Sequence, residues 1–225
     1  MAVTDEAILK IKSMLLSGEL KPGDRLPPEK ELGEALGLSR SSLREAVKAL
    51  EIIRVLDVRR GDGTYVTSLT PGLLLDVMSF VVDIHQDDSV LELFEVRRIL
   101  EPAAGALATP HVTADDVADL RALLAQVDDT TSADDLVAND IVFHRRISER
   151  SGNAYLTGLL DTLSSSTVRA RVWRGLTEEG SVERTLTEHR AIVDALEAGD
   201  ANLASAQATV HISGVMQWLR RASEV

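Results

Sequence analysis

Five histidines occur in this 225-residue chain, and three of them stand where their chemistry could be pooled. In Asn139-Asp140-Ile141-Val142-Phe143-His144, Asp140 and His144 are four residues apart, which on a helix sets both side chains on one face. His189 lies in TEHRAIVDALEAGD and His211 in ATVHISGV, each within its own later amphipathic run. One carboxylate and three imidazoles from three helices can converge on a divalent metal. Zinc suits such ligands, and nickel or manganese fits them about as well. The same spacing has a plainer reading. Asp-x-x-x-His recurs by chance, and a histidine on an apolar face is commonly a satisfied core residue, so spacing alone leaves both readings open.

A second constellation lies near the N-terminus. Arg40, Ser41, Ser42, Arg44 and Lys48 point away from the apolar stripe Leu43, Ala46, Val47 and Leu50 of one predicted helix. Amide groups and the positive dipole end at a helix N-terminus favour phosphate, and Ser and Arg reach phosphates or base edges. Lys30 would sit beside the same backbone, and the Gly61-Asp62-Gly63 tip, flanked by Arg59 and Arg60, is narrow enough for a minor groove. Singly, each of these is an ordinary solvated charge. In this order they predict DNA binding.

The elements that must carry these residues follow from periodicity and punctuation. Ala7, Ile8, Ile11, Leu15 and Leu16 mark a first helix, closed near Ser17-Gly18 and followed by a Lys21–Asp24 turn. Pro27-Pro28 opens a second helix, which stops at Gly37. Ser39 is the N-cap of a third, reaching Ile52 or Ile53. Two β-branched runs on either side of Gly61-Asp62-Gly63 read as a hairpin. Three helices and a hairpin make a winged helix-turn-helix over residues 1–70. From residue 71 the pattern is helical, with helices near 72–84, 89–108, 113–128, 132–150, 153–173, 181–198 and 200–222. The fold class is therefore mainly α: a winged helix-turn-helix, then an all-helical antiparallel bundle of six or seven helices over 71–225. The domain boundary is placed near Thr70-Pro71-Gly72.

Composition bounds the rest. Aromatics are only 3%, so the core must be Leu, Val, Ile and Ala, and the absence of cysteine excludes disulfides and thiolate metal sites. Residues 1–68 hold 11 basic and 11 acidic side chains, so the net charge of −12 resides entirely in the remainder. A locally basic face on an acidic body is compatible with DNA, because phosphate attraction is short-ranged in salt. No stretch approaches the roughly 18 apolar residues of a membrane span, and the N-terminus lacks the continuous apolar core of a signal peptide. The expectation is a cytoplasmic protein with no membrane partner.

The runs PGDRLPPEKELGEALGLSRSSLREAVKALE and LDVRRGDGTYV resemble the N-terminal domain of GntR-type transcription regulators, over about the first 70 residues. The resemblance implies that Lys30, Ser39, Arg40, Ser41, Ser42 and Arg44 occupy DNA-contact positions, with Gly61 at the wing tip. Two positions depart from the family pattern. Arg54 stands where glycine is usual, which costs strain if a positive φ is required, and Lys30 stands where arginine is frequent, replacing a fork with a point charge.

LELFEVRRILEPAAGALA, NDIVFHRRISERSGNAYL and EHRAIVDALEAGDANLASAQATVHI are similar to the FCD ligand-binding domain of the FadR-type subfamily, over most of residues 72–220. Many such domains bind a metal through an aspartate and three histidines. Asp140, His144, His189 and His211 match all four positions, which argues against an acyl-CoA ligand, since the acyl-CoA-responsive members lack them. Arg97 falls on the arginine of Glu95-x-Arg97-x-x-Leu100-Glu101. It would hold a carboxylate effector beside the metal; the alternative is a surface ion pair with Glu101. Asn153 matches a position typical of the domain, and an N-cap role explains it equally well.

The combined expectation is a homodimeric repressor that binds operator DNA and is controlled by a small organic acid at a zinc, nickel or manganese site. A metal-responsive regulator is the first alternative. A metal-dependent hydrolase is the weaker one, since no general base declares itself near the ligands.

Overall fold

A computed structural model describes residues 3–69, 90–128 and 130–223. The chain divides into two compact units, Met1–Val77 and Met78–Val225. The expected boundary near residue 70, the predicted helix 72–84 and His85 lie outside the described residues.

The first unit contains α1 (Val3–Ser17), α2 (Glu29–Leu36), α3 (Arg40–Ile52), β1 (Leu56–Arg59) and β2 (Gly63–Val66). Local chemistry sets the helix ends. Gly37 closes α2 in the left-handed region at φ 65°, and Ser39 caps α3 by accepting from the Ser42 amide at 3.1 Å. The strands pair antiparallel, Leu56 opposite Val66 and Arg59 opposite Gly63. Alternation sends Leu56 and Val66 inward, onto Ile11 and Met14 of α1, Leu32 of α2, and Leu43, Val47 and Leu50 of α3. The Asp24–Leu26 segment runs along β2, with Leu26 N donating to Thr64 O and Val66 N to Asp24 O, both at 2.8 Å. Arg25 is laid across Gly63, where a Cβ would meet its Nε at 2.5 Å. Any side chain at this position would oblige the Arg25 guanidinium to move aside.

The second unit contains, among the described residues, α4 (Val90–Ala108), a 3-10 turn (Thr109–His111), α5 (Ala114–Leu124), α6 (Ala133–Arg150), α7 (Ala154–Ser166), α8 (Val168–Thr177), α9 (Ser181–Glu197) and α10 (Ala201–Ser223). Helices α4 and α10 form an antiparallel pair: Gly105 lies by the backbone of Ala204, and at the far end Arg220 reaches Glu95 at 3.4 Å. Phe94 of α4 is buried among Ile212, Val215, Met216 and Leu219 of α10. A larger core of Leu120, Leu124, Phe143, Ile147, Ile192 and Val193 joins α5, α6 and α9. No described helix is long and apolar enough to cross a membrane.

The predicted helix 153–173 is in fact two helices meeting at Thr167, which has φ −103° and ψ 6°. The run Ser164-Ser165-Ser166-Thr167 explains the break. Ser165, Ser166 and Thr167 return their hydroxyls to the carbonyls of Asp161, Thr162 and Leu163, competing with the helix ladder. Helix α5 ends at Leu124, short of the predicted 128, and Asp128 begins a side-chain-bonded turn with Thr130 and Thr131. Asn153 caps α7 by accepting from Tyr155 N and Leu156 N.

Arg54, at the usual glycine position, does adopt a positive φ of 59°. A left-handed non-glycine residue costs about 1–2 kcal/mol, and glycine would lose about 0.5–1 kcal/mol of that to chain entropy. Arg54→Gly is therefore expected to stabilise the first unit by about 0.5–1 kcal/mol, read as slower hydrogen exchange across α3 and β1 in the full chain.

Glu178 closes the α8–α9 junction, accepting from Arg174 at 2.5 Å and Arg184 at 2.7 Å, with Arg221 at 3.6 Å. Burial raises its pKa, but the arginine contacts outweigh this and leave it lowered. A depressed carboxylate stabilises above its unfolded value and loses that contribution as pH falls through the folded value. Glu178→Gln is thus expected to flatten the loss of stability below about pH 4.5, followed by the fluorescence of Trp173 and Trp218, both in this unit.

Candidate functional site

In the first unit, α3 presents Arg40, Ser41 and Arg44 to solvent, with Ser39 exposed at its N-terminus and Ser42 half-buried. Lys30 is exposed in the first turn of α2, and Gly61 is exposed at the hairpin tip with φ 78°. The serines are linked, Ser39 Oγ lying 3.0 Å from Ser41 Oγ and 2.8 Å from Ser42 Oγ, so capping pre-orders the N-terminal turn. Arg44 Nη2 is 3.2 Å from Glu29 Oε2 in a solvent-exposed ion pair. The hairpin carries its own ties. Arg25 donates to the Asp62 carbonyl, Tyr65 donates to the Asp62 carboxylate at 3.0 Å, and Arg59 stacks 4.2 Å over the Tyr65 ring. Arg59 also pairs with Asp57 at 2.9 Å.

In the second unit, α6 carries Asp140 and His144, α9 carries His189 and α10 carries His211. One donor atom from each lies within 4.8 Å of every other. The facing atoms are His144 Nε2, His189 Nε2, His211 Nε2 and Asp140 Oδ1. His144 and His211 are 3.3 Å apart, and Oδ1 lies 3.6, 3.3 and 3.8 Å from His144, His189 and His211. Donors about 2.0–2.1 Å from one tetrahedral zinc would be about 3.3 Å apart, so the set has the right scale for an ion.

Three further observations support that fit. His189 Nε2 is buried and, although Asp140 Oδ1 lies 3.3 Å away, makes no well-formed hydrogen bond, a nitrogen that coordination would satisfy. The outward nitrogens of the other two rings face carboxylates: His211 Nδ1 is hydrogen-bonded to Glu188 at 2.8 Å, and His144 Nδ1 lies at ion-pair distance, 3.0 Å, from Glu101. Such partners fix ring orientation and raise ligand basicity. Phe143 stacks on His189 with centroids 4.1 Å apart and fixes that ring from its face.

Charge at the site is set by burial against neighbours. Burial disfavours the Asp140 carboxylate, but Arg171, His144 and His189 outweigh it and hold Asp140 well below the usual range. Burial also opposes charge on His144, yet Glu101 and Asp140 raise it to about 9. At His189 burial prevails, pushing it down to about 3, so that ring is neutral with a lone pair to give. Glu101 is likewise opposed by burial and lowered by Arg97 and His144.

Arg97 has the expected i, i+4 pair with Glu101, at 2.6 Å, but the pair is buried rather than on the surface. Its Nη1 donates to Thr167 Oγ1 at 2.9 Å. Arg97, Glu101 and His144 therefore form one chain of contacts leading to the cluster. The sequence reading missed Arg171 and Arg174, both buried on α8. Arg171 donates to Asp140 Oδ2 and to the carbonyl and hydroxyl of Ser164. Their spacing in VRARVWR was visible, but nothing in it showed that this face turns inward. Glu188 was also missed, although it directly precedes His189. A cavity beside the cluster is bordered by Asp140, His211 and the three arginines 97, 171 and 174.

Comparison with known proteins bears on both units. Residues 3–66 match the family model for bacterial regulatory proteins of the gntR family, and residues 92–214 match the FCD domain. The HTH-type transcriptional regulator LutR of Bacillus subtilis is 30% identical over 90% of this chain and 94% of its own length. The galactonate operon transcriptional repressor of Escherichia coli is 27% identical, covering 96% of each. Among solved structures, Streptococcus agalactiae GntR aligns with a TM-score of 0.73 at 27% identity, over 95% of this chain and 99% of that one. The first two are named as transcriptional regulators and the third as a GntR protein. With a winged DNA-binding unit ahead of a helical FCD domain, the chain belongs to the GntR family of bacterial transcriptional regulators.

Proposed function

We propose that the protein is a cytoplasmic homodimeric repressor of the FadR-type subfamily whose operator affinity is set by a small carboxylate at a metal site. The observation that carries this reading is the buried set Asp140, His144, His189 and His211, bordered by a cavity with arginines in its wall. A divalent metal, zinc first among zinc, nickel and manganese, would supply positive charge and a coordination position for one carboxylate oxygen. The chain's own residues do the rest. Glu101 and Glu188 orient two rings, Arg171 holds Asp140, and the arginines of the cavity wall receive the remaining negative charge.

The name of the galactonate operon relative supports repression. Dimerisation is supported by α4, where Val96, Ile99, Ala103 and Leu107 form one exposed apolar stripe. A two-fold dimer would place two reading heads on two half-sites of a pseudo-palindrome, with Lys30, Ser39, Arg40, Ser41, Ser42 and Arg44 at the DNA and Gly61 at the wing. The acid acts only through a difference in its affinity for the DNA-competent and DNA-incompetent dimers.

The metal half is tested by competition with a chromogenic chelator. Asp140→Ala and His189→Ala are expected to abolish stoichiometric zinc binding. Glu188→Gln, which leaves all four ligands in place, should weaken it by about 10–100-fold. Unchanged affinity in Glu188→Gln would contradict the assigned role of that carboxylate. The DNA half is tested by fluorescence anisotropy on the native promoter fragment. Arg40→Ala is expected to cost about 1–3 kcal/mol if it reads a base edge. Lys30→Ala should flatten the slope of log affinity against log salt by about 0.9. Binding without sequence selectivity or salt dependence would sink the reading.

A further inference from the structure

The cavity beside the Asp140–His211 cluster is lined by two kinds of residue. Phe94, Leu136, Val137, Ile212 and Val215 contribute hydrocarbon to its lining. Arg97, Arg171 and Arg174 line the same cavity, the Arg97 guanidinium lying over the Phe94 ring, with Ser181 and Thr185 contributing hydroxyls. The three arginines are not equivalent. Arg97 gives Nε to Glu101 and Nη1 to Thr167. Arg171 gives Nη1 to Asp140 and Nη2 to Ser164, so Nε alone is left without a partner. Arg174 gives Nε to Glu178, while its Nη2, at the end of the fork, is buried with no acceptor.

Arg174 is 5% exposed, so water does not readily serve that N–H. A buried donor without an acceptor carries a standing penalty, and an anion arriving in the cavity would relieve it. The resemblance assigned the acid to Arg97, whose Nε and Nη1 are engaged here by Glu101 and Thr167. The buried donors without an acceptor are Arg171 Nε and Arg174 Nη2, and only that of Arg174 is a terminal nitrogen of the guanidinium fork.

The hydrocarbon part of the lining limits what the anion can be attached to. An acid with a hydroxyl on every carbon would strand several hydroxyls against Phe94, Val137 and Ile212, each without a partner. The space is also small, about 30 Å³ for the centres of water-sized groups. Because that volume counts centres only, it leaves room for a ligand of about half a dozen non-hydrogen atoms at most.

We propose that Arg174 anchors the anion of a short aliphatic carboxylate, about two to four carbons long by the space available, with its hydrocarbon end against Phe94 and Ile212. The proposal rests on the reading of the cluster as a metal-and-acid site, and it names the residue and the ligand class that reading leaves open.

Calorimetry on the zinc-loaded full-length protein tests it, with propionate and D-gluconate as probes and zinc affinity followed separately by chelator competition. Propionate is expected to bind wild type at least about tenfold more tightly than gluconate, and Arg174→Met to weaken propionate by about tenfold or more with zinc affinity unchanged. Arg174→Lys keeps the charge beside Glu178 and serves should Arg174→Met not fold; losing the fork should still weaken propionate by about threefold or more. Wild-type propionate affinity in either variant, or tighter binding of gluconate than propionate, would overturn the proposal. If neither acid binds the zinc-loaded wild type, the acid-effector reading itself fails, an outcome distinct from normal propionate binding in an Arg174 variant.

Discussion

A carboxylate buried in the middle of a helical bundle is the constraint on which the second unit depends. Asp140 is 5% exposed, and its charge is sustained by Arg171 on one oxygen and by the three imidazoles gathered about the other. Those partners come from α6, α8, α9 and α10, so neutralising one charge fixes four helices relative to one another. A buried ion pair of this kind is a weak source of net stability, but removing one partner leaves an uncompensated charge, which is costly. The bundle is thereby committed to one arrangement. Glu101 and Glu188 extend the same logic outward. Each carboxylate orients one ring, and Glu101 passes the constraint on to Arg97 and Thr167.

That arrangement suits a sensor better than a purely structural knot. Metal ligation would satisfy His189 Nε2 in the cluster, and an anion would satisfy Arg174 Nη2, whose residue lines the cavity that Asp140 and His211 also border. Relief of both by one metal–acid pair supplies the differential free energy that any ligand-driven shift requires. The DNA-binding unit asks little of its own core beyond rigidity. Its reading helix is capped and cross-linked at Ser39, and its hairpin is tied through Arg25, Asp62 and Tyr65.

Much of this was legible in the sequence because it is governed locally. Gly37, Ser39 and the Gly61–Gly63 hairpin announce helix ends and a turn through backbone chemistry that neighbours cannot easily override. Arg54 was recognisable as a departure, and its positive φ shows why glycine is the usual residue there. Asp140 and His144 share a face by helical spacing alone. What could not be read is long-range. No periodicity shows that α9 and α10 bring His189 and His211 to the same point, and only the family resemblance supplied that expectation. The buried face of VRARVWR looks like any solvated basic face until Asp140 and Glu178 are seen opposite Arg171 and Arg174. The split at Thr167 depends on four consecutive hydroxyl residues choosing backbone carbonyls, a competition that spacing does not decide.

The central claim is that metal and acid act together, through one site, on DNA affinity. The most direct measurement is operator affinity of the full-length protein in four states: chelated, zinc-loaded, chelated with propionate, and zinc-loaded with propionate. The account predicts that affinity falls only in the fourth state, and that Asp140→Ala removes this response in protein that remains folded. Equal affinity in all four states would contradict it, and a fall on zinc loading alone, unaffected by acid, would show that the metal itself is the signal.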